Sequence, residues 1–332
     1  MTAVAPPSLP PGGATGGTGA RARKWSDLWG DRAFRAVSLV AGLSVLAILA
    51  LIAYATTKQA WPIFRRDGFG FITGSTWDPT HNRFGALSFI YGTAVASAIA
   101  VAIAVPLSLG IALFTNELAH KRLRRPVIYV VDLLAAIPSV VYGLWALAVF
   151  EQPAHTFYGY IADTIGKIPI LGRLFGETGG SGASFMTAGI VLAVMITPII
   201  TAIGREVLAT VAQDDKNAAL AMGATRWEML RMCVFPRARS GLVGAVMLGL
   251  GRALGETIAV ALVIGSNHQI TSHLFKPGDS MASVIVHEFP EGQSTPLYRA
   301  ALIGLAVVLF AFAIIVNVAA RWIANRTDRT GL

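Results

Sequence analysis

Six apolar runs of about 20 residues each, separated by polar connections, constrain this chain more than any other feature. They cover residues 36–57, 87–114, 127–150, 185–203, 241–265 and 300–320. A run of roughly 20 apolar residues is long enough to cross the hydrocarbon core of a bilayer as one helix. Backbone in that medium must satisfy its own N–H and C=O groups, so such runs become helices packed on one another. The expected fold class is therefore an all-α polytopic membrane protein with six transmembrane helices in a lipid bilayer. Only 14% of the residues are charged, against about 25% in an ordinary soluble domain. Pro106 and Gly110 mark the second run for a kink or tilt, and Pro138 and Pro198 interrupt the third and fourth.

The formal net charge of +9 raises the question of a nucleic-acid partner. The basic residues answer it, because they sit in short clusters flanking the apolar runs and form no continuous face. Arg21, Arg23, Lys24, Arg32 and Arg35 precede the first run, and Lys121, Arg122, Arg124 and Arg125 follow the second. Together with the fourth connection and the C-terminal end, 18 Lys and Arg fall on one side and eight on the other. The excess places both termini in the cytoplasm, with the protein in the cytoplasmic (plasma) membrane. Residues 1–33 are Pro- and Gly-rich and then basic, an expected disordered tail with Trp25 and Trp29 as interfacial anchors. Ala53-Tyr54-Ala55 mimics a signal-peptide cleavage site, but the preceding run exceeds the roughly 7–15 residues of a signal core. Trp61, Phe64, Phe69, Phe71 and Trp77, after the first run, read as an interfacial aromatic belt. Docking of an external protein is the competing reading for them.

Two formal charges, Arg252 and Glu256, lie in the middle of the fifth run. An Arg at mid-membrane costs about 2.5–3.5 kcal/mol even on the lenient scale, so it must face protein or water. The two residues are four apart and, on one continuous helix, point the same way. Arg precedes Glu, the weaker order for stabilising a helix. A substrate path for an anion is the functional reading: Arg252 offers a planar fork to oxygens, and Glu256 holds the fork when the path is empty. A buried ion pair that fixes packing is the competing one. Ser139 and Tyr142, beside Pro138, and Thr257 are further path candidates; hydrogen bonding across or within helices is their alternative. Asp132 reads as a snorkelling carboxylate paired with Arg124 or Arg125. No nucleophile–base set is present, no histidine pair has ligand spacing, and Cys233 is the only cysteine. The expectation is thus no catalytic residue, no metal site and no cofactor bound by this chain.

None of the six lysines is followed by Ser or Thr, so no Walker A loop exists. Energy for transport must come from a partner. The connection 205–240 is the place for it: QDDKNAALAMGATRWEMLRMCVFP (213–236) predicts a short helix, a turn at Gly223, and a second helical run ended by Pro236. Such a knob fits a groove on a soluble partner.

This segment resembles the coupling loop of ABC-importer permeases, Glu-Ala-Ala, three residues, Gly, nine residues, then Ile-x-Leu-Pro. Ala218, Ala219, Gly223 and Pro236 match; Asn217 stands where the Glu belongs, Cys233 for Ile and Phe235 for Leu, with Asp214 and Asp215 nearby to substitute. GLGRALGETIAVALVIG (249–265), AAIPSVVYGLW (135–145) and FGALSFIYGT (84–93) together resemble the PstC-type permease subunit of bacterial phosphate importers. The resemblance implies a type I ABC importer permease fold and import of inorganic phosphate. It also implies a sister permease in a heterodimer, two copies of a cytoplasmic ATPase subunit carrying ATP and Mg, and an extracytoplasmic phosphate-binding protein. Asn217, Ala218, Ala219, Gly223 and Pro236 become the ATPase-coupling positions. The implied organisation is a tail (1–33), the first helix and external loop (34–86), a transporter domain (87–321) and a C-terminal tail (322–332). Sulfate or molybdate remains an alternative substrate, since a guanidinium fork takes any tetrahedral oxyanion. A stand-alone ion-coupled anion transporter is the alternative class, and it calls for internal repeats and more interior carboxylates.

Overall fold

A computed structural model describes residues 25–329 apart from Ile165, Lys167, Pro169 and Ile170. The Pro- and Gly-rich tail with Arg21, Arg23 and Lys24, and the anchoring roles of Trp25 and Trp29, lie outside the described residues. Elements follow in the order α1 (Trp25–Asp67), α2 (Phe69–Thr73), β1 (Trp77–Asp78), β2 (Arg83–Phe84) and α3 (Leu87–Leu113). Then come α4 (Lys121–Ala136), α5 (Ser139–Trp145), α6 (Glu151–Thr164), α7 (Gly172–Phe175) and α8 (Phe185–Ala209). The chain closes with α9 (Gln213–Ala221), α10 (Arg226–Met229), α11 (Phe235–Gly255), α12 (Ile258–Ile264), α13 (Met281–Glu288) and α14 (Pro296–Arg329). Three π turns, Phe114–Leu118, Ala146–Phe150 and Leu230–Val234, sit where α3, α5 and α10 end.

Two units divide the chain, residues 1–52 and 53–332. From Arg32 to Ile52 the first unit is an apolar helix with every side chain exposed, suited to lipid and not to water. The cores and candidate sites described below belong to the second unit. Among the described residues five helices are long and apolar enough to cross a membrane, and a sixth span results if the bent pair α4 and α5–α6 counts as one. The main core packs α3 along α8, the small face Ala96, Ala100 and Ala104 sharing one buried cluster with Ala188, Leu192 and Ile196. Small side chains let backbones approach where lipid offers no hydrophobic drive.

Four sequence expectations are corrected here, the first being the interruption at Pro198, since α8 runs as one helix from Phe185 to Ala209. The interruption expected at Pro138 is present. The third run is no single straight helix: its two halves meet at 92°. Pro138 has no N–H to give Leu134 and pushes Ile137 out of the helical region, to φ −68 and ψ 129. The fifth run is broken too. α11 stops at Gly255, Glu256 is extended at φ −72 and ψ 128, and helix resumes at Ile258. Three glycines (249, 251 and 255) weaken α11 toward that end, while the unbroken apolar composition conceals the break. Pro236 does not end a helix; it lies in the first turn of α11, directly after the π turn Leu230–Val234, where the widened backbone accommodates its missing N–H. The aromatic belt is split: Trp61 and Phe69 are 58% and 85% exposed, but Phe71 and Trp77 are 0% and 8%. The latter two join Phe84, Phe89 and Tyr298 in a separate aromatic core under the β1–β2 hairpin, with ring centroids of Trp77 and Phe89 5.1 Å apart.

Candidate functional site

The two breaks lie side by side. α12 packs against α5 so closely that a Cβ on Gly143 would stand 2.8 Å from the Cα of Ala259. Tyr142, Ala253 and Ala259 share one buried cluster, and Arg252 lies within electrostatic reach of Tyr142. The fold therefore assembles the candidate path residues from two interrupted helices, an arrangement tolerated at membrane depth where the freed backbone finds new partners. Two are visible. The Leu134 carbonyl, which loses its i+4 donor at Pro138, accepts from the Tyr142 hydroxyl at 2.7 Å and from the Ile137 N–H at 3.4 Å.

The first of these bonds uses the Tyr142 hydroxyl hydrogen within its own chain segment, across the break at Pro138. Ser139, Glu256 and Thr257 are half-buried, and the Thr257 hydroxyl donates to the Gly255 carbonyl at 3.2 Å. Arg252 is exposed on the surface of the chain, one residue away from buried Ala253. Among the described residues no ion pair within 4.0 Å joins Arg252 to Glu256, because the backbone turns between them. In this arrangement Glu256 does not hold the guanidinium. An intramembrane Arg on an open face of one chain needs another wall, protein or aqueous, beyond it. Asp132 is likewise exposed and makes no ion pair with Arg124 or Arg125; Arg124 reaches Asn116 at 3.4 Å.

At the other end of α3 and α8 the predicted knob forms as helix, turn and helix. Gly223 has φ +88, which L side chains rarely adopt, and it lets the chain reverse after α9 while Gly223 N donates to Leu220 O at 3.0 Å. Thr225 and Glu228 then form a capping box at the start of α10. The Thr225 bonds hold the Glu228 carboxyl below its usual range. Ala219 tucks into a core of Leu208, Met229, Leu230 and Val234. Asn217 and Ala218 stay exposed, and Asn217 accepts from Gln213 at 3.2 Å. Asp215 is tied up by an ion pair with Arg237.

Three exposed apolar side chains on this knob escaped sequence reading: Leu220, Met222 and Trp227, at 40%, 89% and 63%. The signal was available, since large apolar residues flanking a turn Gly in a polar loop are out of place unless they meet a partner. A second group was missed on the segment between α12 and α13. His268 Nε2 lies 3.5 Å from both the buried Asp279 and Glu288. Glu288 accepts further bonds from Trp77 and Tyr298, each at 2.7 Å. The hydrogen bond to Asp279 first, and the charges of Asp279 and Glu288, raise the His268 pKa against the opposing effect of burial. Its partners are 11 and 20 residues away in sequence, so no local spacing announced them.

Residues 104–329 match the family described as binding-protein-dependent transport system inner membrane component. The chain belongs to that family. As an inner-membrane component it is a multi-pass transport subunit and not an enzyme. A phosphate transport system permease protein PstC from Mesorhizobium japonicum is 41% identical to this component over 91% of the chain and 92% of that protein. The corresponding protein of Haemophilus influenzae is 38% identical over 93% and 98%. A PstC 2 from Mycobacterium tuberculosis is 40% identical over 89% and 92%. Among solved structures, a bacterial alginate ABC transporter in complex with a periplasmic protein has a chain that superposes with a TM-score of 0.59 at 17% identity, covering 93% of this permease and all of that chain. At that identity the likeness concerns the fold, which is that of type I ABC importer permeases.

Proposed function

We propose that the chain is the permease subunit of an ATP-driven importer that carries inorganic phosphate across the cytoplasmic membrane. The observation that carries this is identity of 38–41% to phosphate transport permeases over about nine-tenths of both chains. The reading includes a sister permease, whose wall closes the open face on which Arg252 lies. Two cytoplasmic ATPase subunits, carrying ATP and Mg, sit beneath, and an extracytoplasmic phosphate-binding protein delivers substrate. The excess of Lys and Arg around α9–α10 and the ends of the chain supports cytoplasmic termini. Exposed Leu220, Met222 and Trp227, with Asn217, Ala218 and Gly223, form the knob on which the ATPase docks.

In this scheme Arg252 supplies a bidentate fork to phosphate oxygens near mid-membrane. Ser139, Thr257 and Glu256 line the path around it, and Tyr142 keeps the break in α4–α5 satisfied. The deciding experiment reconstitutes the chain with its partner subunits in liposomes and measures phosphate uptake in the presence of ATP, with sulfate and molybdate as competitors. Uptake that needs ATP and all partners, and that excess sulfate leaves unchanged, is the expected result. Uptake by the lone chain would sink the ABC assignment, and equal competition by sulfate would sink the substrate.

A further inference from the structure

The connection between the docking helix and the membrane core is not only the chain itself. Lys216, in α9, is 5% exposed. A lysine is almost never buried to that degree unless its charge is paired. Its Nζ lies 2.5 Å from Oε1 of Glu117, 99 residues earlier in sequence, and the two side chains are 6% and 12% exposed. Glu117 belongs to the π turn Phe114–Leu118 that follows α3. That widened turn frees carbonyls, and Thr115 Oγ1 donates to the oxygens of Ile111 and Ala112. The neighbouring Asn116 donates to the Arg205 carbonyl on α8 at 2.6 Å. α8 in turn leads into α9 through only Thr210, Val211 and Ala212. The ends of α3, α8 and α9 are therefore closed into a ring by one buried ion pair, one side-chain hydrogen bond and one short connection.

Resting on the function proposed above, we infer that Lys216 and Glu117 form the clamp that passes movement of the docking helix into the α3–α8 pair. α9 has a second ionic contact, Asp215 to Arg237 on α11, but those side chains are 37% and 56% exposed. An exposed pair of that kind is weak and screened by salt. A buried pair is screened far less, and opening it leaves a charge unpaired. With the clamp in place, a displacement of α9 is not absorbed in the three-residue connection; it drags the ends of α3 and α8. Lys216 is thus a positioning residue for transport, acting through Glu117 and touching no substrate.

The test uses the full complex in liposomes and reads phosphate imported per ATP hydrolysed, beside the amount of assembled complex. Removing one partner would bury an unpaired charge, so the variant is the double neutralisation Lys216→Met with Glu117→Gln, which leaves none. Its expected behaviour is normal assembly, ATP hydrolysis within about twofold of wild type, and phosphate per ATP lowered about tenfold, inside the range of ordinary coupling between sites. The charge swap Lys216→Glu with Glu117→Lys is expected to restore the ratio to within about twofold. An unchanged ratio in the double neutralisation, or a swapped pair that assembles but stays uncoupled, overturns the clamp. Failure of the underlying function looks different: the wild-type complex would then bind no ATPase or import no phosphate.

Discussion

Substituting Arg252 by Gln separates an anion-binding guanidinium from one that only fixes packing. In this chain Arg252 is exposed, and among the described residues no ion pair within 4.0 Å ties it to Glu256. The about 3–5 kcal/mol lost when one partner of a buried pair is removed is therefore not at stake. The variant should unfold within about 0.5 kcal/mol of wild type, as substitutions outside cores and networks do. Transport is another matter. One hydrogen bond from a charged donor contributes about 1.5–3 kcal/mol. At the low end, losing one such bond lowers the rate about tenfold, and losing both arms of a fork lowers it roughly 150-fold. The expected drop in kcat/KM for uptake lies between those figures, with Arg252→Lys closer to wild type because it keeps the charge without the fork. Initial rates of radiolabelled phosphate uptake in liposomes holding the whole transporter, with thermal unfolding of the same preparations, measure both quantities. Uptake within about twofold of wild type in a stable, fully assembled Arg252→Gln transporter refutes the anion-binding role. A loss of several kcal/mol of stability at unchanged turnover per complex would return the residue to packing.

Three further outcomes follow from the geometry. Trp227→Ala should weaken binding of the ATPase about 30-fold or more, the cost of truncating a central aromatic anchor, while thermal unfolding of the permease alone stays unchanged because the side chain is 63% exposed. Tyr142→Phe leaves the Leu134 carbonyl with only the Ile137 N–H at 3.4 Å and should cost about 0.5–1.5 kcal/mol in unfolding measurements, with ATPase binding untouched. His268 has a folded pKa above its ordinary 6.5, from its bond to Asp279 and the charges of Asp279 and Glu288. Its contribution to stability is then fully present below the unfolded value and disappears as pH rises through the raised one. Melting temperatures in lipid nanodiscs from about pH 6 to about pH 8.5 should fall for wild type and fall less for His268→Gln; parallel curves would remove His268 from the account.

What the sequence disclosed and what it concealed follow one physical division. Hydropathy reports which residues avoid water, so the ends of α3 and α8 fell within a few residues of the apolar runs. Hydropathy is blind to backbone direction inside the apolar phase. Pro138 announced its break chemically, by a missing N–H, whereas the break at Glu256 is marked only by the weaker signal of glycines 249, 251 and 255. Gly223 was legible because a turn between two amphipathic stretches needs a left-handed residue. Pro236 misled because proline stops a helix it follows and starts a helix it precedes, and position alone does not say which. The Lys216–Glu117 pair and the His268 group were invisible, since each joins residues that only tertiary packing brings together.

The break at Glu256 also changes what movement of the docking knob does to the charged residues. From Arg226 through the π turn to Gly255 the helical path is continuous, so Arg252 turns with α11 as one body. Glu256 and Thr257 lie past the end of that body, and α12 beyond them is held by Gly143 of α5 in close contact with Ala259. On an unbroken helix Arg252 and Glu256 would move together and their separation would stay fixed. With the break between them, rotation of α11 alters the distance from guanidinium to carboxylate. Charge attraction falls with that distance, steeply so where water is excluded. On the function proposed above, an Arg252 that gained and lost that carboxylate would hold an anion weakly in one state and tightly in the other, whereas a rigid ion pair one turn apart would hold it alike in both.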